Sequence, residues 1–237
     1  MIFKNKYNMS LEENIMWAKR NIVDYIYKSA NLEGITVTYP ETASLYDGMT
    51  ISRKIKIDDV VTINNLKYAW RFVLGHIDYP LDYSFICKVN KYVGGDSLIF
   101  GSGSIRTTPV RIGGTNWKPD IPNEFEVKSE LKELNNVQNA TDRALSIMLY
   151  CMRKQIFVDG NKRTSMLIAN KIMIENGCGV VSIPVEDQDE FRVLLIKFYE
   201  TNNGDEIKQF IYNKCIDGID LHTDTDTENK PKIKRRM

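Results

Sequence analysis

The sequence predicts a mainly α-helical, all-α protein with one β-hairpin set into it. Three observations carry that prediction: apolar residues recur at helical spacing over most of the chain, capping residues and glycine stops bound those stretches, and a single Gly/Pro-rich interval breaks the pattern. Ser10-Leu-Glu-Glu13 is a capping-box pattern, and Leu11, Ile15, Ala18, Ile22 and Ile26 then recur on one face up to Glu33-Gly34. Asp58 or Asp59 is the expected cap of a second helix carrying Val61, Leu66, Ala69, Trp70 and Val73, and Leu81 to Val93 reads as a third. From Gly94 to Pro122 glycines and prolines punctuate short apolar pieces such as Leu98 to Phe100 and Val110 to Ile112, a composition that predicts a β-hairpin with long connections. Helical periodicity returns from Pro122 to about Leu134, from Ala140 to Met152, and from Asn161 to Gly177, whose glycine supplies a stop. Val180 to Ile183 is a short extended piece. Two more helices follow, near Asp187 to Tyr199 and Gly204 to Asn213.

Length and composition bound the function. At 237 residues with 43% hydrophobic content the chain fits one domain with a sizeable core, expected over 1–218, and the stretch 219–237 lacks apolar periodicity and reads as a polar, basic tail. Lys+Arg 32 against Asp+Glu 31 gives a net charge of +1, so no global field argues for nucleic acid or membrane as a partner, and no helix gathers Lys/Arg on one face. Cys87, Cys151, Cys178 and Cys215 are dispersed, without the paired spacing of a zinc site or disulfide framework, which suits a reducing cytoplasm. The N-terminus is too polar for a secretory signal, and no apolar run reaches the length of a membrane span. The expectation is a soluble cytoplasmic protein, and self-association as a homo-oligomer is compatible with it. His76 and His222, the two histidines, stand in contexts that read as surface or helix-end positions. They exclude a His-rich metal centre.

The chemistry concentrates in Gln155-Ile-Phe-Val-Asp159-Gly160-Asn161-Lys162-Arg163-Thr164, between two apolar helical stretches. Asp159 is a hard oxygen ligand for a divalent cation, Gly160 lets the backbone turn closely around an anion, and Asn161 opens a helix whose unpaired N–H groups face negative charge. Lys162 and Arg163 add countercharge. By contrast, Gly101-Ser-Gly103 is no dinucleotide fingerprint, because Arg106 occupies the third glycine position.

The run resembles the signature of the Fic/Doc (Fido) family, His-x-Phe-x-(Asp/Glu)-Gly-Asn-(Gly/Lys)-Arg. Phe157, Asp159, Gly160, Asn161, Lys162 and Arg163 match it, and Gln155 stands where the family has its catalytic histidine. The resemblance implies a helical bundle carrying the motif loop under a β-hairpin flap, roughly from Ser10 to Asp217. It implies Mg²⁺ held by Asp159, ATP phosphates bound by Gly160, Asn161, Lys162 and Arg163, and Phe157 packed inward. It also implies transfer of AMP to a hydroxyl of a target protein, with Asn161 and Arg163 stabilising charge. Gln155 cannot take a proton near neutral pH, because a carboxamide only donates and accepts hydrogen bonds. Loss of a general base costs about 10² to 10⁴ in rate. Three readings follow: a slow or differently tuned transferase, a catalytically silent nucleotide-binding pseudoenzyme or regulatory module, and a deliberate replacement of histidine. Met166 stands where many AMP-transferring relatives carry a second arginine, and Lys162 brings the motif closer to Doc-type relatives that deliver phosphate.

Ser29-Ala-Asn-Leu-Glu33-Gly34 resembles the family's inhibitory helix, whose glutamate reaches into the nucleotide site; with Met166 in place, Glu33 needs Arg163 or another partner. The flap expected by this resemblance is Gly103 to Gly114, with Ile105, Arg106 and Ile112 as target contacts. A hairpin edge there would hold an extended target segment by main-chain hydrogen bonds.

Overall fold

The first helix, α1 (Leu11–Leu32), begins where the capping box places it. Ser10 Oγ accepts from the Glu13 amide at 3.2 Å, and Glu13 Oε2 accepts from the Ser10 amide at 2.7 Å. The computed structural model describes residues 2–51, 55–95 and 98–220. After α1 come α2 (Tyr39–Tyr46), α3 (Ile57–Gly75), α4 (Tyr83–Gly94), α5 (Glu124–Asn135), α6 (Ala140–Lys154), α7 (Asn161–Glu175), α8 (Gln188–Thr201) and α9 (Asp205–Lys214). Helix α2 has no counterpart among the expected elements. The expected cap of α3 is also corrected: Lys56 is its N-cap, and Asp58 and Asp59 lie in the first turn, where negative charge favours the helix's positive end. Asp82, Asn123 and Asn139 cap α4, α5 and α6 through side-chain oxygens.

Helix α7 is the axis of the molecule. It packs against α6 above all, and also against α1, α3 and α4, so that Arg163 to Ile174 are buried without a break. Its buried polar side chains have partners: Thr164 Oγ1 accepts from Asn90, Ser165 Oγ donates to Asn161 O, Asn170 bonds the Val181 backbone and Lys171 pairs with Glu175. Leu167, Ile168, Ile172 and Ile174 lie within the core, each contributing about 1.5–3 kcal/mol by burial. The expected extended piece after α7 becomes β1 (Val180–Val181), which pairs antiparallel with β2 (Ile216–Asp217). Asn14 and Asn170 hold the other backbone groups of this stretch, exchanging paired hydrogen bonds with Gly179 and Val181. Asp217 Oδ2 then accepts from Tyr25 Oη at 2.6 Å and Trp17 Nε1 at 3.2 Å, tying the end of β2 back onto α1.

The mainly helical class therefore holds, while the segment expected as a flap takes a different form. Among the described residues, 98–122 runs as turns and extended chain without strand pairing, and both strands of the structure lie elsewhere. One main-chain bond, Arg106 N to Ile156 O at 3.0 Å, joins the segment to the motif loop. Pro109, Pro119 and Pro122 bring no N–H to a ladder. Almost all of the expected tail, 221–237, lies outside the described residues, as does His222. Among the described residues no helix is long and apolar enough to cross a membrane, and all four cysteines are unpaired, three of them buried.

Candidate functional site

The site begins where α6 stops. Gln155 caps it in the left-handed region, at φ 49° and ψ 59°, a place usually taken by glycine because a Cβ there costs about 1–2 kcal/mol. Arg106 holds the turn. Its Nε donates to Gln155 O at 2.6 Å, and its other nitrogens donate to Thr108 O and Asp120 O. Arg106 is 1% exposed, and burial lowers its pKa against the smaller opposing effect of Asp120. This corrects the expected target contact, since its side chain is committed to three carbonyls. Ile105 is half-buried against the core, and only Ile112 of the three expected flap residues lines the cavity described below.

The loop itself is stapled by Asn161. Its Oδ1 accepts from Phe157 N at 3.0 Å, while its Nδ2 donates to Phe157 O at 2.8 Å and to Gln155 Oε1 at 3.1 Å. Both amide hydrogens are thus used inside the loop. Gln155 Nε2 donates to Met152 O at 2.6 Å, so its carboxamide is anchored at both ends. Phe157 is buried as expected, and Val158 and Asp159 are exposed.

Gly160 begins α7 without a side-chain cap, at φ 75°. The conformation favours glycine, and a Cβ there would also press on its neighbours, 3.0 Å from Val93 Cγ1 and 3.2 Å from Asn90 Nδ2. Asn90 is wholly buried and holds three parts together. Its Nδ2 donates to Asp159 O and to Thr164 Oγ1, each at 3.1 Å, and its Oδ1 accepts from Gly103 N at 2.8 Å. The sequence carries a signal for it, an amide on the apolar stripe of Phe85, Ile86, Val89 and Val93.

These elements enclose a cavity of about 330 Å³ in which Gln155, Asp159, Gly160, Asn161, Lys162, Glu33 and Ile112 meet. Glu33, the C-cap of α1, reaches in and pairs with Lys162 at 3.5 Å between Oε1 and Nζ. The glutamate's partner is therefore Lys162. Gly34 follows at φ 82° and is exposed, turning the chain away. Arg111, Arg192 and Tyr199 also line the cavity and were not among the expected site residues. The Tyr199 phenol is pushed well above its usual range, first by burial and then by the charge of Glu33, with a hydrogen bond to Gln155 acting the other way.

Arg163 and Ser29 lie elsewhere. Arg163 is 7% exposed, pairs with Asp159 at 3.4 Å, and with Ser29 and Met166 borders a separate small void, where its Nε and Ser182 Oγ lack partners among the described residues. Asp159 Oδ1 also accepts from Gly160 N at 2.6 Å. Among the described residues no group of three or more His, Cys, Asp or Glu could hold a metal. A single exposed carboxylate beside uncapped helix amides fits a cation that arrives with phosphates, since Mg²⁺ keeps most of its shell as water and phosphate oxygen.

The family model described as Fic/DOC matches residues 80–173, which contain α4 through most of α7 and the whole motif loop. Among curated proteins, the chain is 29% identical over 191 residues to protein adenylyltransferase fic-1 of Caenorhabditis elegans, covering 76% of this chain and 37% of that one. It is 24% identical over 201 residues to protein adenylyltransferase Fic of Drosophila melanogaster, covering 81% and 40%. It thus spans about two fifths of the length of these relatives. Among solved structures, a Fic domain containing signaling protein from Bacteroides thetaiotaomicron superposes with a TM-score of 0.70 at 19% identity, covering 86% of this chain and 85% of that one. Fic-1 from C. elegans superposes with a TM-score of 0.66 at 23% identity, covering 82% and 61%. These likenesses establish a shared fold.

Proposed function

We infer from the premise that this chain belongs to the Fic/DOC family that it binds Mg-ATP in the motif cavity and is restrained there by Glu33. The observation that carries the reading is the meeting of Asp159, Gly160 and Lys162 with Glu33 in one cavity at the start of α7. The amides of the first turn and the positive end of α7 face the phosphates. Asp159 would supply one carboxylate oxygen to the divalent cation of the nucleotide, which would add charge neutralisation at the phosphates. Glu33 opposes this arrangement by occupying the cavity and neutralising Lys162. With side chains 32% and 20% exposed, such a pair is worth about 0–1 kcal/mol, so a phosphate can displace it.

The reaction we propose is transfer of AMP to a protein hydroxyl. The hydroxyl oxygen bonds to the α-phosphorus, the bond from that phosphorus to the β-phosphate bridging oxygen breaks, pyrophosphate leaves, and the hydroxyl proton goes to water. Gln155 contributes orientation and no proton acceptance. Asn161 acts by holding the loop in place, because its amide hydrogens are bonded to Gln155 and Phe157. Arg163 acts through Asp159, which it orients.

A second reading, a catalytically silent nucleotide-binding module, is favoured by the anchoring of Gln155 at Met152 and Asn161. Incubating Glu33→Gly and Gln155→His/Glu33→Gly with labelled ATP and cell extract, followed by intact-mass analysis, separates the two. The transferase reading predicts AMP adducts on protein, formed about 10² to 10⁴ faster with histidine. Phosphate adducts would identify Doc-type transfer instead. No adduct with either variant, self-modification included, would leave the silent module.

A further inference from the structure

Among the described residues, the cavity contains a cation that no carboxylate neutralises. Three basic side chains line it. Lys162 is paired with Glu33, and Arg192 is bonded to Asp189, Gln188 and the carbonyls of Asn31 and Leu32. Arg163 is turned into the neighbouring void beside Met166. Arg111 has no ion pair or side-chain hydrogen bond among the described residues.

Arg111 is an exposed residue, and the backbone that carries it is held in place. Its segment is fastened to the motif loop at one end, where Arg106 bonds Gln155 O and Ile156 O. At the other end Thr115 Oγ1 donates to Glu200 Oε1 at 2.7 Å, and Gly114 lies so close to α8 that a Cβ would stand 2.8 Å from Ile196 Cδ1. Gly114, at φ 84°, meets both demands. Residues 110–113 therefore form a strap over the cavity, fixed on both sides, with an unneutralised guanidinium between its anchors. A guanidinium so placed matches a phosphate with its planar fork of donors.

We propose that Arg111 binds the outermost phosphate of the nucleotide and makes the cavity selective for a triphosphate. This rests on the nucleotide-binding reading of the same cavity. On that reading the innermost phosphates would face the amides of α7, and Arg111, on another wall of the same cavity, would add its charge at the far end of the chain. Met166 adds none, since it is an apolar side chain buried at 6% exposure. A triphosphate gains a charge-assisted contact that a monophosphate lacks.

Calorimetric titration with the magnesium complexes of ATP, ADP and AMP tests this in the Glu33→Gly background, comparing Arg111, Arg111→Lys and Arg111→Ala. The expected result is a loss of about 10- to 100-fold in ATP affinity for Arg111→Ala, a smaller loss for Arg111→Lys, and unchanged AMP affinity. Thr115→Val, which frees one anchor, should reproduce part of the ATP loss with the guanidinium still present. Equal losses for all three nucleotides would reduce Arg111 to a part of the strap's shape, and no loss would place its charge outside the nucleotide site. Either result overturns the proposal while leaving nucleotide binding intact. Absence of binding in the Glu33→Gly parent would overturn both.

Discussion

Asn90 is the residue on which the motif loop depends most directly outside the motif itself. One buried carboxamide joins Asp159 O, Thr164 Oγ1 and Gly103 N, and so locks the motif loop, the first turn of α7 and the root of the strap in one geometry. Truncation would leave buried groups without partners, at about 1–3 kcal/mol each. Asn90→Ala is therefore expected to lower thermal stability and to loosen the motif loop, measurable as a lower Tm and faster amide exchange at Gly160 and Gly103. An unchanged Tm would mean that water replaces the amide. Asn90→Asp should be as damaging, since it removes both donated bonds. The motif residues differ from expectation in a related way. Gln155 and Asn161 spend their hydrogen bonds within the loop and Arg163 faces a separate void, while Lys162, paired with Glu33, and Arg111 line the cavity.

At the scale of elements, helix α2 shows how local signals decide short helices. Thr38 and Glu41 form a second capping box around Pro40. Thr38 N donates to Glu41 Oε2 at 2.8 Å, Glu41 N to Thr38 Oγ1 at 3.4 Å, and Lys67 Nζ of α3 binds Tyr46 O at the other end. Eight residues are too few to be stable alone, so the caps and docking onto α1 and α3 decide. Thr38→Ala is expected to cost about 0.5–2 kcal/mol in urea denaturation without changing ATP affinity, because α2 does not line the cavity. That Thr-x-x-Glu pattern was readable in the sequence, and only the shortness of the apolar repeat hid it. The long helices were legible because Leu11 to Ile26 and Leu167 to Ile174 keep one period for many turns. The strap was not, because its shape is set by a distant arginine and by packing of Gly114 on Ile196, contacts that no local pattern encodes. For the same reason the motif was legible and Tyr199 and Arg111 were not, while Asn90 showed only as an amide on an apolar stripe. They reach the site only through the packing of α4, α8 and the strap around α7.

Across the whole molecule, the motif stands at the start of the most buried helix, and the candidate brake stands at the end of α1, which packs against that same helix. Glu33 and Lys162 are 129 positions apart in the chain, yet they pair inside one cavity, and in the proposed reading that pairing opposes phosphate. The packing of α1 on α7 sets both partners beside each other, which is what the proposed restraint by a single carboxylate requires. A like charge about 4 Å from phosphate oxygens opposes binding by several kcal/mol at an effective dielectric of about 20. The most direct test is calorimetric titration of wild type and Glu33→Gly with ATP and Mg²⁺. Binding at the motif cavity under restraint by Glu33 predicts heat in both, with affinity at least about tenfold tighter for Glu33→Gly. No heat from either protein, or equal affinity in the two, would contradict it.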